Sequence, residues 1–195
     1  MVLPQKDGSP NLTHERRERE WLEGLRTGDE GAFEGMFRAY AAPLCNFAFS
    51  YVRSREIAEE TVQDLFCWIW EHRFTIEMPH GVRAWLFTSV RNRSLNALRD
   101  RRLEFSVHER IAREPRAESA SSGDAVATAD LAAAAARVAA TMPQRSREAF
   151  ALIREQGMSY AEAAIVMGIS PKTVEIHMTR AMAIMRAGLA AWRPL

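Results

Sequence analysis

The segment SYAEAAIVMGISPKTVEIHMTRAMAIMR, Ser159 to Arg186, carries the pattern that decides the architecture. Ser159 followed three residues on by Glu162 is a capping box, in which a hydroxyl and a carboxylate satisfy the free N–H groups that open a helix. Ala163, Ala164 and Val166 keep the inner face of that helix slim. Gly168 follows as the turn residue, since only glycine takes left-handed backbone without strain. Ser170 can cap a second helix, with Pro171 at the first helical position, its preferred place. Val174, Met178, Ala181 and Met185 recur at i, i+4, i+7 and i+11, which gives that helix one buried stripe. Lys172, Thr173, Glu175, Ile176, Thr179 and Arg180 are left facing outward from its first two turns. A recognition helix presents its side chains to the major groove from that position. A helical hairpin of this kind can also be purely structural, but its caps, glycine turn, proline and basic exterior together favour DNA binding.

Outward from this hairpin, helical periodicity dominates and β signatures are few. The pattern predicts an all-α chain of two small helical domains joined by a flexible linker. Residues 1–20, with Pro4, Gly8, Pro10 and dense charge, read as a mobile tail, and residues 21–104 as the first helical domain. Residues 105–130 are rich in Ala, Ser and charge and too poor in large apolar side chains to offset their ordering entropy, so they read as the linker. Residues 131–195 form the second domain. The chain has 26 basic and 25 acidic residues, a net charge of +1 that conceals strong segregation. Two cysteines, Cys45 and Cys67, show no CxxC spacing and no metal-ligand cluster with histidine, so no metal or other cofactor is expected. The first residues lack the apolar core of a signal peptide, and no apolar run approaches the roughly 20 residues that span a bilayer. A reducing cytoplasm is the expected home, without membrane insertion. No nucleophile–base pair or phosphate loop suggests an enzyme.

The acidic segment is AEETVQDLFCWIW, Ala58 to Trp70. Ile57, Thr61, Leu65 and Ile69 fall near one helical stripe, widened by Val62 and Phe66. Glu56, Glu60, Gln63, Asp64, Cys67 and Glu71 share another face. That face is either solvated or a docking surface for a basic partner protein; it would repel phosphate. The basic segment is GVRAWLFTSVRNRSLNALRDRR, Gly81 to Arg102. Leu86, Phe87, Val90, Ala97 and Leu98 can pack inward. Thr88, Asn92, Asn96 and Arg99 form an outward stripe extended by Arg91, Arg101 and Arg102. Arginine forks and asparagine amides suit phosphate oxygens and base edges, and Phe74 and Trp85 are candidates for stacking on unpaired bases. The alternative is a plain surface helix whose arginines are favoured by the dipole at its C-terminus.

The order of these pieces, acidic AEETVQDLFCWIW, then WLFTSVRNRSLNALRDRR, a linker, and TMPQRSREAFALIREQGMSYAEAAIVMGISPKTVEIHMTRAMAIMR, resembles a bacterial extracytoplasmic-function (ECF) sigma factor of the sigma-70 family. The resemblance covers about residues 22–186. It implies a subunit that binds core RNA polymerase, directs it to the −10 and −35 promoter elements and assists strand opening. It assigns Glu60, Gln63, Asp64, Phe66 and Trp70 to a helical hairpin of the polymerase's largest subunit. Phe74, Trp85, Arg91, Asn92, Asn96, Arg99 and Arg101 fall to the melted −10 strand, and the loop from Arg73 to Arg83 to a flipped-out base. Lys172, Thr173, Glu175, Ile176, Thr179 and Arg180 fall to the −35 duplex. An anti-sigma factor is a further partner that the family implies, and a place in the bacterial cytoplasm, at the nucleoid, follows. Glu175 and His177 stand where the family commonly has basic residues, and Met142-Pro143 where it usually has Leu-Pro. SPKTVEIHMTRAM also resembles the output domain of LuxR-type regulators, yet the N-terminal part has no strand–helix receiver pattern. A helical adaptor that binds only proteins is the remaining alternative. About 26 linker residues extend to at most about 90 Å, enough to span two DNA turns of about 35 Å each.

Overall fold

The computed structural model describes residues 10–108 and 128–190, with the side chains of 10–13, 15, 102–108, 128–130 and 132 left aside. Among the described residues there are eight α-helices and no strand. The first group holds α1 (Pro10–Thr27), α2 (Glu30–Val52), α3 (Arg55–Glu71) and α4 (Val82–His108). The second holds α5 (Thr128–Thr141), α6 (Gln144–Phe150), α7 (Tyr160–Met167) and α8 (Pro171–Gly188), with a π-helical turn at Ala151–Glu155 extending α6. The all-α expectation is met.

Local chemistry sets the helix ends. Asp29 accepts from the Gly31 N–H at 2.8 Å to start α2, and Ser54 accepts from Ile57 at 3.4 Å to start α3. Met36, Leu44, Phe47 and Tyr51 of α2 are buried against Val62, Leu65 and Ile69 of α3 and Leu86, Phe87 and Val90 of α4. Phe47 meets Phe87 edge-on at 5.1 Å. The sequence assignment of inward residues on α3 holds: Thr61, Val62, Leu65, Phe66 and Ile69 are buried and Ile57 is half-buried.

The tail assignment for residues 1–20 is corrected in part. From Pro10 onward the chain is helical, and Glu18 in α1 accepts a hydrogen bond from the Tyr40 hydroxyl and one from the Arg83 N–H at 3.4 Å. Trp21 packs edge-on against Tyr40 at 6.1 Å. Gly35 permits this approach, because a Cβ there would sit 2.6 Å from Trp21 Nε1. Dense charge concealed the helix, since its anchors are two carboxylate contacts to distant residues. Residues 1–9 lie outside the described part. The linker assigned to 105–130 is also trimmed: α4 runs to His108 and α5 begins at Thr128, and residues 109–127 are outside the described part.

The two helical groups are not held apart. Leu152, Met158, Ala163, Val166 and Val174 of the second group belong to the same buried cluster as the α2–α4 core. A smaller cluster, Met142, Ala181 and Met185, closes the far side of the second group. The junction runs along α4 and α7 and along α2 and α6. Arg147 Nη1 crosses it to donate to the Ser50 carbonyl at 3.2 Å.

Candidate docking and nucleic-acid surfaces

On α3 the acidic stripe is real and outward. Glu56, Glu60, Gln63, Asp64, Cys67 and Glu71 are all exposed. The helix separates them from its buried stripe because the two sets lie on opposite sides of a 3.6-residue period. Phe66, placed on the inward stripe by its spacing and assigned to the polymerase by the resemblance, is 2% exposed and wedged edge-on between Phe33 at 6.0 Å and Phe37 at 4.9 Å. It therefore floors a surface rather than offering one. Trp70 is half-buried, tilted against Phe33 at 5.0 Å, with the Arg73 guanidinium 4.2 Å from its ring centroid.

These rings enclose an open groove of about 920 Å³ between α2 and α3. Its walls are Glu30, Phe33, Glu34 and Phe37 from α2 and Gln63, Cys67 and Trp70 from α3. The α2 half was missed by the sequence reading. A signal existed in EGAFEGMF, where Glu30/Glu34 and Phe33/Phe37 each repeat at i, i+4.

The arginine helix divides differently from its sequence reading. Asn92, Asn96, Arg99 and Arg101 are exposed as expected. Arg91 is not on that stripe: its side chain is 11% exposed, and Nε donates to Glu148 Oε1, a carboxylate 1% exposed in α6. Helical spacing put Arg91 at the edge of the outward face, and a carboxylate far along the chain claimed it. Trp85 is half-buried with its ring stacked at 6.0 Å on Trp68, which stacks in turn on His72 at 4.2 Å. Trp68 thus lies against one face of Trp85. Thr88, half-buried, returns its hydroxyl to the Ala84 carbonyl at 2.7 Å. Phe74 is 59% exposed, with Arg73 at 4.3 Å from its centroid. Its ring lies over Gly28, whose φ of +80° turns the chain from α1 into α2.

The hairpin follows its sequence reading closely. Ser159 and Glu162 form the full capping box, Gly168 has φ +64°, and Ser170 accepts from Thr173 at 3.1 Å with Pro171 at the start of α8. Val174, Met178, Ala181 and Met185 are buried. Lys172, Glu175, Ile176, Thr179 and Arg180 are exposed, Ile176 by 60%. Thr173 is half-buried and its hydroxyl is shared with Ser170 at 2.8 Å, so it serves the cap first. Lys172 donates to Glu175 at 2.8 Å, and that bond raises the lysine's pKa. Among the described residues, no group of three or more His, Cys, Asp or Glu could hold a metal, and no helix is long and apolar enough to cross a membrane.

Comparison with known proteins accounts for both halves. Residues 36–104 match the family description "Sigma-70 region 2", and residues 133–185 match "Sigma-70, region 4". The RNA polymerase sigma factor CnrH of Cupriavidus metallidurans is 30% identical over 172 residues, spanning 85% of this chain and 90% of CnrH. The ECF RNA polymerase sigma factor SigM of Mycobacterium tuberculosis is 27% identical over 170 residues, 87% of this chain and 83% of SigM. Among solved structures, sigma factor RpoE in complex with the anti-sigma factor NepR from Bartonella quintana superimposes with a TM-score of 0.65. It is 27% identical and covers 83% of this chain and 98% of RpoE. CnrH in complex with the cytosolic domain of CnrY gives a TM-score of 0.62 at 25% identity, covering 90% of this chain and 98% of CnrH. An acidic helix, an asparagine- and arginine-bearing helix and a capped helix–turn–helix, in this order and matched along their length, make this chain a member of the ECF group of sigma-70 factors, the subunits that direct promoter-specific initiation by RNA polymerase.

Proposed function

We propose that three surfaces divide the work of initiation. The exposed α3 stripe, Glu60, Gln63 and Asp64, with Trp70 and the adjoining Phe33–Phe37 groove, seats the chain on core polymerase. The groove suits a helical hairpin of the largest subunit that presents apolar knobs flanked by basic side chains, because its floor is aromatic and its rim holds Glu30 and Glu34. Asn92, Asn96, Arg99 and Arg101 on α4 hold the backbone and edges of the separated −10 strand, and Phe74 stacks on a base that leaves the duplex. Extruding a base costs a few kcal/mol, and stacking on an aromatic ring returns about 1–3 kcal/mol of it. The outward side chains of α8 read the −35 duplex: Lys172 and Arg180 toward phosphate or guanine, Ile176 toward a thymine methyl, and Glu175 toward cytosine N4 once Lys172 turns to the backbone.

The observation that carries this reading is the segregation of sign by surface: Glu56, Glu60, Asp64 and Glu71 are exposed on α3, Arg99 and Arg101 on α4, and Lys172 and Arg180 on α8. Core polymerase holds the catalytic metal, and this chain contributes recognition without chemistry of its own. It works in the bacterial cytoplasm, at the nucleoid. An anti-sigma partner fits as well, because the related RpoE and CnrH were each solved in complex with a partner, NepR and CnrY. In-vitro transcription with purified core enzyme tests the reading: initiation at defined start sites that depends on this chain supports it. Duplex binding without core, and no initiation with core, refutes it in favour of a free-standing regulator.

A further inference from the structure

The junction between the two helical groups is closed by side chains of opposite charge. Arg91 and Arg83 lie on α4, the helix read above as the strand-binding one. Arg91 Nε bonds Glu148, whose second oxygen lies 3.4 Å from Arg145 Nη1. Arg83 Nη2 bonds Glu162 Oε1 at 2.7 Å, while Nη1 donates to the Gln156 carbonyl at 3.2 Å. The side chains of Arg83 and Glu162 are 17% and 29% exposed, so neither pair is an open surface contact. Charge-assisted bonds from a guanidinium to a carboxylate use the same fork and nearly the same distances as bonds to a phosphate.

The closed arrangement is also too short for promoter reading. α7 has eight residues, and α8 starts at Pro171. At 1.5 Å per helical residue, α8 begins within about 20 Å of Glu162, and hence of Arg83. Elements two duplex turns apart are separated by about 70 Å. The stretch from His108 to Thr128 reaches about 70 Å when extended, so the chain length allows the groups to part.

We propose that Glu148 and Glu162 act as internal stand-ins for backbone phosphates, closing the second helical group onto α4 by occupying Arg91 and Arg83 until a nucleic-acid strand takes their place. This inference rests on the strand-binding reading of α4. It gives Arg91 a role that its burial would otherwise remove: a strand ligand held in reserve. The apolar contacts of α7 with α4 contribute adhesion, while the two ion pairs make the closure competitive with polyanions.

The test uses the full free chain and a labelled, mixed-sequence single-stranded oligonucleotide of roughly 16 nucleotides. Glu148→Gln, Glu162→Gln and the double variant remove charge at nearly constant shape, and glutamine still completes the capping box at position 162. Far-UV circular dichroism establishes folding; should Glu148→Gln fail to fold, Glu162→Gln carries the test alone. The expected result is a larger radius of gyration by small-angle X-ray scattering and about tenfold tighter oligonucleotide binding, greatest in the double variant. Unchanged radius and affinity overturn the carboxylate lock, and leave the strand-binding reading standing if Arg99→Ala still weakens the same oligonucleotide. Expansion without tighter binding overturns the inference through that reading, because the released arginines would then not be strand ligands.

Discussion

Replacing Phe66 by leucine separates a core role from a polymerase contact. The ring is 2% exposed and makes edge-on contacts with Phe33 and Phe37, whose own outer faces line the groove. Leucine keeps most of the apolar volume but loses both aromatic pairs, each worth about 0.5–1.5 kcal/mol beyond area. A shape change in a packed core adds a cost of up to about 1.5 kcal/mol when neighbours repack. The expected loss is therefore about 2 kcal/mol, a fall of about 4–8 °C in Tm for a chain of this length. Thermal unfolding by circular dichroism gives the stability, and biolayer interferometry on the folded variant gives core affinity, expected within about twofold of the parent. Phe37→Ala is the counterpart: at 38% exposure it should cost less stability and more core affinity. A Phe66→Leu chain with unchanged Tm and about tenfold weaker core binding would refute the reasoning, since the ring would then be a contact and not a floor.

Asp64→Arg puts a cation in the middle of the exposed acidic stripe and should weaken core binding by about tenfold or more with little change in Tm; equal affinity in the same assay counts against the docking face. Arg180→Ala should lower −35-dependent initiation and reduce the salt slope of duplex binding by about one phosphate contact, whereas equal output from templates with and without the element removes its role. Burial alone would push the Glu162 carboxyl up, but the bonds from Arg83 and Ser159 outweigh it and hold the pKa below the ordinary carboxylate value. Its contribution to stability is thus full above that ordinary value and is lost as pH falls through the depressed one. Urea midpoints at neutral and acid pH should accordingly differ less for Glu162→Gln than for the parent, and identical pH dependence would dismiss the pair as a source of it.

Much of the molecule was legible without coordinates because its signals are local. The capping box at Ser159 and Glu162, the left-handed Gly168, the cap at Ser170 and the stripe from Val174 to Met185 each depend on residues within about one to three turns. The same holds for the outward face of α3, where a single step of about 100° around the helix separates exposed Asp64 from buried Leu65. The tail and Arg91 were misread because their partners are remote. Glu18 is anchored by Tyr40 and Arg83, and Arg91 by a carboxylate 57 residues away, distances over which periodicity carries no information.

By itself, then, the sequence determined the helices, their caps, the sign of each exposed face and the helix–turn–helix, since backbone hydrogen bonding and side-chain spacing settle these within a few turns. Only the tertiary structure decided that Phe66 is a floor, that α2 supplies half of the groove, and that Arg83 and Arg91 are held by Glu162 and Glu148. The physical reason is that burial and ion pairing belong to surfaces in contact. Which surfaces meet depends on how two helical groups pack, a long-range choice that no single helix encodes.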